Sequence, residues 1–216
     1  MVLKVFGRKS SFNVQKVMWL VGELRLEHEH IEKGGAFGGL DAPSFRAKNP
    51  HARVPVIDDD GVIVWESHAI MRYLAARYGA GTYWHDDPVA RASVDQWLDW
   101  SQCRLQPDFL SGVFWGFYRT PAAHRDQARV ADKIADTGRH MELLDSEIAS
   151  NRYLIGEQPS LADIAIATNF YRYFNIDIKR PNVPNVMRWF EALEQRPAYQ
   201  AHVMIPFDDL YGRLDY

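Results

Sequence analysis

What the sequence has little of narrows its chemistry first. Its 216 residues include one cysteine, Cys103. No internal disulfide can form, no CxxC pair is available for thiol exchange, and a lone thiol fits a reducing compartment. Basic residues are not in excess either: 25 Lys and Arg face 28 Asp and Glu, for a net charge of -3. Such a balance offers nucleic acid no electrostatic footprint, so no nucleic-acid partner is expected. A run of about 18 apolar residues is missing, as is an apolar stretch near the start, so neither a membrane span nor a signal peptide is expected. A cytoplasmic location, with no membrane partner, is the resulting expectation. Metal chemistry is also weakly provided for. His28 and His30, two apart on a strand, face one side, but no further ligand cluster accompanies them, and they read as surface histidines with no metal bound.

What is present divides into two grammars. With 47% hydrophobic residues the chain can bury a substantial core. Residues 1–78 alternate: apolar VLKVF, a helix near Asn13, EHEHIEK, a Gly-rich loop, VPVI, GVIVW and another helix. This order predicts a βαβ unit, two further strands and a closing helix, an α/β domain. Val14, Val17, Met18 and Val21 recur at helical spacing and mark the first helix's buried face, widened by Leu20 and Leu24. Residues 79–88, rich in Gly, Asp and Pro, read as a linker. Residues 89–216 carry only helical patterns and read as an all-α bundle. One long helix is expected through Val94, Trp97, Leu98, Ser101 and Leu105. In PSLADIAIA, Ser160 and Asp163 have near capping-box spacing ahead of an apolar helix.

Three short stretches carry chemistry, and each has a plainer structural reading. Val54-Pro55-Val56 places proline in an apolar run, which an edge strand with a trans bond also tolerates. Glu66-Ser67 opens a helix, where free N–H groups attract a carboxylate, but either side chain can simply cap its own helix. Ser10-Ser11-Phe12-Asn13 precedes the first helix; Asn13 is expected as its N-cap, and such clusters commonly form only turns and caps. A dithiol enzyme needs a reactive cysteine at this place, which is absent.

Taken in order, GRKSSFNVQKV, NPHARVPVI, WESHAIMRYLAARYG and SLADIAIA resemble the cytosolic glutathione transferases over essentially the whole chain, in particular bacterial, serine-type, theta-like members. The resemblance implies a thioredoxin-like N-terminal domain, an all-helical C-terminal domain and a homodimer serving detoxification. It implies a cis Val54-Pro55 bond, with Val54 pairing to the cysteinyl backbone of glutathione as co-substrate. Glu66 and Ser67 would hold the γ-glutamyl end. Arg53, His51, Asn49 and Lys33 are the choices for the glycyl carboxylate. Ser11, six positions before Val17, matches the catalytic serine; Ser10 is the second choice, and Asn13 a further donor toward sulfur. Phe12, Phe37, Phe114, Trp115 and Tyr118 form a π-rich set for a small hydrophobic electrophile, although aromatics at helical spacing also serve as core. The same site admits peroxidase, dehalogenase or isomerase outcomes, and a non-catalytic binding module remains an alternative.

Overall fold

A computed structural model of the chain describes residues 2–214. These form two compact units, one of residues 2–85 with 197–205 and one of 86–196 with 206–214.

In the first unit, β1 (Leu3–Phe6), β2 (His28–Ile31), β3 (Val56–Asp59) and β4 (Val62–Trp65) form a sheet of order β2-β1-β3-β4. β1 and β2 are parallel, whereas β3 is antiparallel to both β1 and β4. A parallel pair needs a long crossover, supplied here by α1 (Phe12–Glu23). The hairpin between β3 and β4 turns on Asp60 and Gly61, both at positive φ (55° and 87°), the geometry that matches the twist of adjoining strands. Asp59 ends β3 and is buried. It accepts hydrogen bonds from the hydroxyls of Tyr73 and Tyr78 at 2.8 and 2.9 Å, both on α3 (Ser67–Tyr78). Phe6 and Val56, a cross-strand pair, pack with Phe45 of the short α2 (Pro43–Arg46). Val5 and Ile57, one residue out of phase, turn to the other face of the sheet, and α3 lies against β3 and β4.

The apolar stripe of α1 is buried, but so are Gln15 and Lys16, which lie off it. Lys16 reaches across to α3, where its Nζ meets His68, while Gln15 faces a segment far along the chain. α9 (Pro197–His202) packs on α1, with Tyr199 edge-on to Trp19 at 4.7 Å and both rings fully enclosed. The sequence reading placed residues 197–205 with the helical bundle; the structure groups them with the sheet. A pattern within one helix cannot announce a second covering layer.

The second unit contains α4 (Pro88–Trp100), α5 (Gln127–Glu147), α6 (Leu161–Ala167), α7 (Phe170–Asn175) and α8 (Pro184–Glu194). After α4 the chain continues in wider, π-type turns over Ser101–Leu105 and Pro107–Arg119. The helix expected through Leu105 thus runs on past Trp100 without a break, changing only its hydrogen-bond pattern. Pro107 has no N–H to give to the usual carbonyl, and the last bond of the stretch runs from Thr120 N–H to Trp115 O at 3.1 Å, five residues back. Cys103 is exposed on this stretch. Among the described residues, no helix is long and apolar enough to cross a membrane, and no group of three or more His, Cys, Asp or Glu side chains is placed to hold a metal ion.

Candidate active site

The end of β1 sets the position of the serine loop. Gly7 donates its N–H to Ile31 O at 3.0 Å, and its carbonyl lies 2.7 Å from His30 Nε2. A Cβ at Gly7 would lie 2.4 Å from Val14 Cγ2 and 3.0 Å from Val54 Cβ, and its φ of 149° also disfavours a side chain. Only glycine lets the loop at residues 8–11 leave β1 so close to Val54. Sequence reasoning passed over Gly7; a glycine directly after an apolar strand was the available signal.

Ser11, not Asn13 as expected, is the N-cap of α1. Its N–H donates to Arg8 O at 3.1 Å and its carbonyl accepts from Gln15 N–H at 2.9 Å. An N-cap serine usually accepts a hydrogen bond from the next turn; the Ser11 side chain makes none. That hydroxyl stands half-buried at the positive end of a helix, available to a ligand. Asn13 lies inside the first turn, half-buried, with its Oδ1 enclosed and accepting no hydrogen bond. Ser10 is half-buried and engaged elsewhere.

The Val54-Pro55 bond is cis, and Pro55 directly precedes β3 instead of interrupting it. Asn49 builds the turn leading there: its Nδ2 donates to Arg53 O at 2.9 Å while its Oδ1 accepts from His51 N–H at 3.0 Å. With both amide ends bonded within the turn and the side chain buried, Asn49 braces the approach to Val54. Arg53 and His51 are exposed, His51 edge-on to Trp65 at 5.4 Å, and Lys33 is half-buried.

Glu66 and Ser67 open α3. Glu66 is the N-cap at φ 69°, exposed, and its side chain makes no capping bond. The simple capping reading of this pair therefore fails for Glu66. A non-glycine residue held at positive φ costs about 1–3 kcal/mol, and such residues cluster at ligand sites. Ser67 is buried in the first turn.

Behind both helix starts lies a pair the sequence did not reveal. Lys16 Nζ of α1 is 3.2 Å from His68 Nε2 of α3, and both side chains are buried. Burial pulls the Lys16 ammonium down to about 7. Burial, with the charges of Lys16 and Arg72, pulls His68 down to about 2, so the imidazole is neutral. Since the lysine's folded value lies below its unfolded one, the unfolded chain holds the extra proton between about pH 7 and 10.5. Stability contributed here is present above that window and is lost as pH falls through it. Urea unfolding at several pH values checks this: the stability of Lys16→Met relative to wild type is expected to improve as pH falls from about 10 to 7 and to level off below.

The expected aromatic set does not behave as one group. Phe12 is buried at the start of α1, and Phe37 is 58% exposed in the Gly-rich loop. In the helical unit Phe114 stacks on Tyr118 at 5.4 Å, both meet Phe207, and the Arg172 guanidinium lies 4.7 Å from the Phe114 ring. Trp115, the next residue, points elsewhere, into a cleft of about 260 Å³ lined by Gly112, Gly116, Thr120 and Val130. Phe114 and Tyr118 thus pack together in the core, and Trp115 lines a separate recess. The C-terminal segment inserts Phe207 into this cluster and bonds Gly212 N–H to Tyr118 O at 2.9 Å. Its last two residues lie outside the described ones.

Residues 5–82 match the family model for the glutathione S-transferase N-terminal domain, and residues 107–197 match that for the C-terminal domain. Glutathione S-transferase GstB of Escherichia coli K12 is 39% identical over 207 residues, covering 95% of this chain and 99% of the relative. Glutathione S-transferase 3 of Zea mays is 29% identical, covering 93% of each chain. The crystal structure of the theta-class glutathione S-transferase of Xanthomonas axonopodis pv. citri, with glutathione bound, superposes with a TM-score of 0.89 at 39% identity, over 95% of this chain and 98% of that one. With both halves matched and the fold and length shared, the chain belongs to the glutathione S-transferase family and is a glutathione transferase.

Proposed function

We propose that the Ser11 hydroxyl donates a hydrogen bond to the sulfur of glutathione and holds it as the thiolate that attacks a hydrophobic electrophile. A free thiol of pKa about 8.5 is only slightly ionised at neutral pH. Lowering it by about two pH units requires roughly 2.7 kcal/mol, within reach of one donor plus a helix N-terminus. The carrying observation is the Ser11 hydroxyl, placed at the cap yet making no cap bond. Val54, half-buried beside Gly7, offers its backbone to the cysteinyl residue, and the first turn of α3 offers Ser67 and free N–H groups to the γ-glutamyl carboxylate. Glu66 takes the γ-glutamyl ammonium, and exposed Arg53, with His51 or Lys33, the glycyl carboxylate. Ser10 and then Asn13 are the alternative donors to sulfur, and Phe12 and Phe37 of the sheet unit remain the aromatic contacts for the electrophile. The bound structure of the Xanthomonas relative supports glutathione as the co-substrate. Detoxification by a cytoplasmic homodimer completes the reading.

Titration calorimetry with glutathione, paired with thiolate absorbance on binding, tests the proposal. Binding heat with a thiolate signal at neutral pH supports it. Binding without that signal favours a non-catalytic module, and no heat at millimolar glutathione overturns it. Ser67→Ala is expected to raise the KM for glutathione about tenfold with kcat little changed, the loss of one hydrogen bond to a charged group. Steady-state kinetics at varied glutathione read the two apart.

A further inference from the structure

The helices that carry the two ends of the glutathione site are joined beneath the surface. Lys16 lies five residues past Ser11, about 7–8 Å further along α1, and His68 directly follows Ser67 at the start of α3. Lys16 Nζ stands 3.2 Å from His68 Nε2, and both residues are buried. α1 and α3 pack together, and their other buried residues are mostly apolar, Val17 and Val21 on one and Ile70, Met71 and Leu74 on the other among them. Apolar packing is non-directional and lets helices slide slightly, whereas a hydrogen bond fixes distance and angle.

Two basic side chains can meet here because burial keeps the imidazole neutral and brings Lys16 down to about 7, so the pair carries at most one charge. A methionine of similar length would fill the space with no polar group to desolvate. The contact thus contributes geometry more than stability. Gln15, the preceding residue, ties the same helix to the serine loop, its Nε2 donating to Lys9 O at 3.1 Å. Two consecutive buried polar side chains therefore fix α1 in different directions, one to the loop that bears Ser11 and one to the helix that bears Ser67.

We propose that Lys16 and His68 are positioning residues for the transferase reaction: their contact sets the spacing between the starts of α1 and α3, so that glutathione anchored at Ser67 by its γ-glutamyl end delivers its sulfur to Ser11. This assignment rests on Ser11 and Ser67 holding glutathione as proposed. A misplacement of about 1 Å can cost on the order of 100-fold in rate. A thiol anchored through its γ-glutamyl end depends on where α3 stands; a thiol lacking that end does not.

Cysteinylglycine, which is glutathione without the γ-glutamyl group, provides the contrast. Rates with an aryl halide, corrected for the spontaneous reaction, are measured for both thiols in wild type, Lys16→Met, His68→Leu and His68→Gln, with folding checked by thermal melting. Lys16→Met and His68→Leu are expected to lower kcat with glutathione about tenfold while its KM changes less than about twofold, and to leave kcat/KM for cysteinylglycine within about twofold of wild type. His68→Gln, whose amide keeps a polar partner for Lys16 at similar reach, is expected to recover most of kcat. An equal fall with both thiols, no fall with either, or a glutathione effect confined to KM overturns the proposal. Ser67→Ala separates the underlying reading. If it leaves the preference for glutathione over cysteinylglycine intact, the γ-glutamyl assignment fails and the proposal with it; if it lowers that preference while Lys16→Met does not, the proposal alone fails. A donor at Ser10 or Asn13 in place of Ser11 leaves the comparison unchanged, since all three stand at the same end of α1.

Discussion

Replacing Ser11 with alanine is expected to lower kcat/KM for an aryl-halide substrate by one to two orders of magnitude, about 1.5–3 kcal/mol, while leaving glutathione affinity nearly intact. The reasoning follows from where the hydroxyl sits. It makes no bond to its own helix, so its loss removes little folding energy, and the effect falls on the sulfur. The thiol of bound glutathione should then titrate nearer its free value, which thiolate absorbance against pH measures. If Ser10→Ala reproduces the loss and Ser11→Ala does not, the donor is the other serine. If neither does and Asn13→Ala does, the amide is the donor.

Asp163→Ala is expected to destabilise the protein by about 3–5 kcal/mol, the range for leaving several buried donors without their charged acceptor. Asp163 is fully buried and accepts from Leu154 N–H at 2.9 Å, Ser160 N–H at 2.7 Å and the Ser160 hydroxyl at 2.7 Å. Ser160 in turn accepts from Ala162 N–H at 3.2 Å, completing the cap of a helix whose every residue is buried. Burial pushes this carboxyl up, and the three donors counter it. Alanine leaves those donors facing apolar side chains with no water to replace the carboxylate. For a chain of this size the melting temperature should fall by roughly 10 °C. Asp163→Asn, keeping one acceptor oxygen, should fall between. A loss under about 1 kcal/mol would mean the loop before α6 rearranges to satisfy its own N–H groups.

These two sites also show what the sequence made legible. The cap at Ser160 and Asp163 is local chemistry at fixed spacing, and it was readable. So was the sheet, because alternation, the long crossover and the Asp60-Gly61 turn leave few topologies. The start of α1 was less so: Ser11 and Asn13 are both good cap residues, and only backbone dihedrals choose between them. The bracing by Asn49 was not legible, because an amide serves a turn as well as a ligand. That Phe114 and Trp115 face different surroundings was not legible in detail: neighbours on a helical coil point about 100° apart, and the π-type turns around Pro107 shift the phase further. The Lys16–His68 pair was hidden entirely, because it forms only when two helices separated in sequence come together.

The distant cover of α1 by residues 197–205 determines how the molecule can be cut. A gene fragment ending near residue 85 would encode every strand yet leave the indole of Trp19 wet, because Tyr199 arrives more than a hundred residues later. Anyone wishing to produce the sheet half alone must splice residues 197–205 back on through an artificial tether, and the tether's reach, not the strands, will decide whether the piece holds together.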